Sequence, residues 1–195
     1  MLNATKLIVL TFVFLVPTFA TAGSCDSLVS ASIRQAMEYI DHANDTEDAA
    51  NCVKIAFHQI AQAPTEQAVS ALVKYLAYKR PLTGSERSGF FMHGKTPETI
   101  YPAVQELYQI GDPAVPNLIA FIGKQTVSKD TATQNALYTL VLIHHGDGVG
   151  VIQRLHAASI SSSDTATRDR LQDAARSAMK WCDKRWKSKC EEALD

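Results

Sequence analysis

Apolar residues recur along this chain at the spacing of one helical face, and no run alternates with the period of two that marks a half-buried strand for more than four residues. The clearest stretch is 97–122, PETIYPAVQELYQIGDPAVPNLIAFI. Ile100, Ala103, Val104, Leu107 and Ile110 form one stripe, and Val115, Leu118, Ile119 and Ile122 form a second. Between them Gly111 suits a helix ending in a left-handed residue, and Asp112 suits a cap. Pro113 then falls at the first helical position, where its missing N–H costs nothing. Each helix alone would leave its stripe in water, so the pair must stack on something like itself.

The rest of the chain follows the same pattern. Val29, Ile33, Ala36, Met37 and Ile40 predict a helix over 27–41, capped by Asp26 or Ser27. Val53, Ala56, Phe57 and Ile60 predict another from Glu47 to Ala61, and Ala68, Ala71, Leu72, Tyr75 and Leu76 a third that runs to Lys79. Residues 80–95 show no periodicity and read as an irregular insertion. Thr96 and Pro97 open the next helix. Asp130 caps a helix carrying Ala136, Leu137, Leu140, Val141 and Ile143, and Asp147 caps a shorter one with Val149, Ile152 and Leu155. A serine-rich link then leads to a last helix with Leu171, Ala174, Ala175, Ala178 and Cys182. The fold class is all-α.

Residues 103–122 lie on 136–155 with Ala103 over Ala136, Leu107 over Leu140 and Ile110 over Ile143, and the Gly-Asp turn recurs at Gly146-Asp147. Residues 56–75 fit more loosely, with Ile60 on Leu107 and Leu72 on Ile119. Ile110-Gly111-Asp112-Pro113-Ala114-Val115-Pro116 with Leu118 and Ile119 resembles the turn of a HEAT or HEAT-like (PBS-lyase-type) repeat. The resemblance is best at 97–122 and partial at 56–76 and 132–156. It implies a short α-α superhelix of three to four helix pairs with a concave binding surface, and it implies no particular activity. Pro116 falls in the fourth helical position of that reading, which implies a loosened first turn.

The beginning of the chain has a different character. Lys6 precedes the apolar run Leu7–Val16, Pro17 ends it, and Ala20-Thr21-Ala22 offers small residues for cleavage. Residues 1–22 therefore read as a signal peptide, too short to span a bilayer. A single helical-repeat domain over 23–195 follows, exported to a periplasmic or secreted location. A lipoprotein attached at Cys25 is disfavoured, because Ala22 stands where such signals carry leucine and lipidation would strand one of four cysteines. Cys25, Cys52, Cys182 and Cys190 allow three pairings; nearness along the chain favours Cys25–Cys52 and Cys182–Cys190. Lys6 is the one charged residue of the leader, so its removal takes the net charge from −1 to −2. That balance supplies no global field for nucleic acid.

Candidate chemistry is sparse. Gly89-Phe90-Phe91-Met92-His93-Gly94-Lys95-Thr96 matches a phosphate-binding loop as a string. The polar residues before it form no strand, and Thr96-Pro97 reads as a helix cap, so no nucleotide is expected. His144, His145 and Asp147, joined by His93 or His58, form an alternative metal set for a hydrolase. Histidines at a helix end followed by an aspartate cap explain the same residues. The basic and aromatic tail at 180–195 offers Lys180, Trp181, Lys184, Arg185, Trp186 and Lys187 as an anionic-surface contact. In the 80–95 insertion, Arg87, Phe90, Phe91, Met92, His93 and Lys95 form a candidate partner-binding set. The sequence thus points to a scaffold or protein-protein interaction module of the cell envelope, binding another protein or envelope component. No catalytic residue, cofactor or transmembrane segment is expected. A purely structural small bundle within an envelope assembly is the remaining alternative.

Overall fold

The computed structural model describes residues 25–87, 96–125, 130–182 and 187–194. Among these the chain is helical throughout, without strands. After a 3-10 turn at Cys25–Leu28 come α1 (Ile33–His42), α2 (Glu47–Ala61) and α3 (Thr65–Leu72), the last continued by a 3-10 turn at Val73–Tyr75. Then follow α4 (Gly84–Arg87), α5 (Pro97–Ile100), α6 (Pro102–Ile110), a 3-10 turn at Asp112–Ala114, and α7 (Val115–Lys124). The second half holds α8 (Thr131–Ile143), α9 (Gly148–Ser161), α10 (Thr165–Ala178), a 3-10 turn at Met179–Trp181, and α11 (Lys187–Glu192). The leader reading at 1–22 lies outside the described residues.

α2, α6 and α8 pack one upon the next; α3 packs on α2 and α6, α7 on α8 and α10 on α7, while α1 flanks α2. Phe57, Ile60, Leu72, Leu76, Leu107, Leu118, Leu140, Ile152 and Leu155 are all fully buried in one continuous core. The match of 136–155 to 103–122 places α9 where α7 stands. In the structure it is α10 that packs along α7, with α9 paired tightly to α10.

Several local expectations are corrected. The first helix begins at Ile33 rather than near 27, because Ser32 and Gln35 form a reciprocal capping box. Val29, read as part of that helix's apolar stripe, is 59% exposed. The helix expected across 97–110 is broken: Pro102 pushes Tyr101 into an extended conformation, so α5 ends at Ile100 and α6 starts at Pro102. Thr96 precedes α5 but makes no side-chain cap bond. Gly111 does have positive φ, at 74°, with a ψ of −142° that only glycine adopts readily. Asp112 makes no side-chain cap; it opens a 3-10 turn, and α7 begins only at Val115. Pro116 thereby falls at the second helical position, where no intrahelical bond is lost. The last long helix stops at Ala178, short of Cys182, and α11 follows where no helix was expected.

Cys25 pairs with Cys52 and Cys182 with Cys190, at Cα separations of 5.2 and 6.5 Å. Each bridge closes a loop confined to one end of the chain. Loop-closure entropy sets the expected loss on replacing each pair with serine at about 3.5 kcal/mol for the first and about 2.5 kcal/mol for the second. Urea unfolding of the two double variants checks the order; equal losses would contradict it.

Candidate functional site

A groove of about 760 Å³ lies between α1 and α3. Its floor is Ile33, Met37 and Ala71, and its rims carry Arg34, Glu38 and Asp41 on one side and Glu66, Ser70 and Lys74 on the other. The local sequence explains the shape. Ala36 and Ile40 turn fully inward, which leaves Ile33 and Met37 half-buried at the helix edge. Across the groove Ala71 is too short to fill the space between the helices.

Tyr75 ties the two walls together at one end. Its hydroxyl donates to Asp41 Oδ1 at 2.9 Å, with the Met37 carbonyl at 3.3 Å. Burial first, and then the Asp41 bond, hold this phenol well above its usual range. The ring sits edge-on to Phe57 at 5.7 Å, and Tyr78 completes the cluster at 5.6 Å from Phe57. Arg34, Glu38, Glu66 and Lys74 are exposed, and their side chains hold no ion pair or hydrogen bond among the described residues. The groove thus offers an apolar floor and unengaged charges of both signs.

The first part of the 80–95 insertion is ordered by charge. Arg80 is 5% exposed, and its guanidinium grips both oxygens of Glu86 at 2.7 Å. It also donates to the carbonyls of Thr99 and Pro81 at 2.8 and 3.0 Å, and the Arg80 N–H reaches the Ile100 carbonyl at 3.1 Å. Glu86 accepts the Thr83 N–H at 2.9 Å, so Thr83 and Glu86 supply half of a capping box for α4. That helical turn corrects the expectation of irregular chain throughout 80–95. Arg87 ends α4; Phe90, Phe91, Met92, His93 and Lys95 lie outside the described residues.

The histidine turn does what its helix-end position suggests. His144 follows α8, His145 takes a positive φ of 53°, and Asp147 caps α9 by accepting the Val149 N–H at 3.1 Å. Burial, and next the charge of Arg154, hold His144 below the usual histidine range. Among the described residues no three His, Cys, Asp or Glu side chains are gathered to hold a metal; His93, a further member of the alternative metal set, lies outside them. In the tail, Trp181 packs against Tyr138 at 6.4 Å, and Lys180 lies 4.0 Å over the Trp181 ring while bonding Gln134. Lys187 is 3.8 Å from Glu191. Those three side chains are engaged within the fold; Lys184, Arg185 and Trp186 lie outside the described residues.

The groove was not visible in the sequence as a site. Ile33, Met37 and Ala71 read there only as members of two apolar stripes. No family model matches the chain, and no curated protein or solved structure matches it either.

Proposed function

We propose that this chain is an exported HEAT-like helical-repeat protein that binds another envelope protein and has no catalytic activity of its own. The observation that carries the reading is the α1–α3 groove, with its apolar floor and four unengaged charges. Two parallel supports exist. The stacked helices and the repeated Gly-Asp turns at Gly111 and Gly146 suit a repeat scaffold, and two disulfides suit an oxidising compartment. No described helix is long and apolar enough to cross a membrane.

The occupant is an amphipathic helical segment of the partner. α1 is ten residues long, about 15 Å, which matches two to three turns of a docked helix. An apolar stripe on that helix would cover Met37 and Ala71, with mixed charges meeting the rims. The test places a photo-crosslinking residue at Ser70 in the purified protein and exposes it to envelope extract. One adduct is expected, and its yield should fall several-fold when Arg34→Glu and Lys74→Glu are combined. These exposed changes should leave stability within about 0.5 kcal/mol. An undiminished adduct from a variant with unchanged circular dichroism would overturn the groove as the docking site. Phe90→Ala with Phe91→Ala provides a separate arm, in which unchanged recovery removes the insertion from the interface.

A further inference from the structure

We propose that the seam between α2 and α6 is proton-sensitive, with Glu106 as the titrating group and His58 as its counter-charge. Glu106 is only 9% exposed, and its Oε2 is buried without a hydrogen-bond partner. His58 Nδ1 stands 3.7 Å from that oxygen, beyond a hydrogen bond but within ion-pair range, on the neighbouring helix. The His58 side chain is 56% exposed, so protons from solvent reach the buried carboxylate's partner freely.

The surroundings leave Glu106 to His58. α6 packs against α2, α3, α5 and α8. α8 has no charged residue within Thr131–Ile143. The 3-10 turn beyond α3 brings Lys74, and that beyond α6 brings Asp112. α3 brings Glu66, on the groove rim, and α5 brings Glu98, bonded to Tyr138. α2 brings Glu47, Asp48, Lys54 and His58, and among all of these His58 is the group whose charge acts on Glu106. Three states follow. A protonated Glu106 puts no charge in the seam. An ionised Glu106 beside a protonated His58 is compensated. An ionised Glu106 beside a neutral His58 is a buried carboxylate with an unbonded oxygen, the costly arrangement.

The sign is set by burial, which raises the Glu106 pKa, while His58 works against the rise. The folded protein therefore keeps this proton above the ordinary carboxylate range. Its stability contribution is complete below that range and is lost as pH rises through the folded value. Urea unfolding of the purified, disulfide-intact protein from about pH 4 to about pH 8, beside Glu106→Gln, reads the effect. The wild-type folding constant should fall relative to the variant by about tenfold for each pKa unit of displacement. Parallel curves would overturn the proposal. Carboxyl-carbon NMR gives a second readout that does not depend on the Gln variant folding. Glu106 should titrate above the other glutamates, and His58→Gln should move its midpoint higher still; an unmoved midpoint also overturns the proposal.

Discussion

Replacing Arg80 with alanine should lower the unfolding free energy by about 3 kcal/mol, the cost of breaking a buried ion pair from one side. Exposure decides the magnitude. The Arg80 side chain is 4% exposed and Glu86 15%, so solvent does not screen the pair as it would a surface bridge. Alanine also strands the Thr99 and Pro81 carbonyls, which accept from the same guanidinium. Lysine should recover only part of the loss, because an ammonium cannot reproduce the two-pronged grip on Glu86. Urea titration of the two variants measures both effects. A loss for Arg80→Ala of under about 1 kcal/mol would place the pair among ordinary surface contacts instead.

Phe57→Ala should cost about 3–5 kcal/mol. The ring is fully buried and lies in edge and tilted contact with Tyr75 and Tyr78, so its removal opens a cavity beneath both. Leucine should keep all but about 1.5 kcal/mol, since most of the volume returns. Thermal unfolding checks the two together, and similar losses for alanine and leucine would show that ring contacts rather than volume dominate. The alanine variant should also loosen the groove, because Tyr75 holds Asp41 through its hydroxyl and rests on Phe57.

Where local sequence and tertiary packing agree, the fold was legible. Glu47–Ala61 was readable from its stripe alone, and Thr46, accepting the Ala49 N–H, fixes its start. Asp130 and Asp147 cap the helices they precede. The misses have identifiable causes. Ser32 with Gln35, and Thr83 with Glu86, carry the three-residue spacing of a capping box that apolar periodicity does not register. Pro102 stood in plain view within a continuous stripe, and its effect on Tyr101 outweighed that stripe. α11 has one fully buried residue, Cys190, and is held by a disulfide rather than by a pattern. The groove was illegible for a different reason. A charge with no partner looks the same in sequence as one facing bulk water, and only the spacing of α1 from α3 separates the two.

The bond from the Arg80 N–H to the Ile100 carbonyl holds the two ends of the intervening stretch side by side. Residues added between α4 and α5 leave the distance between those ends unchanged, because the bond and the Arg80–Glu86 pair lie on either side of them. Doubling such an excursion adds only about 0.6 kcal/mol of closure entropy. The position is therefore a natural graft point: a foreign peptide or a small domain with adjacent termini could be spliced between α4 and α5, with the helices keeping their register.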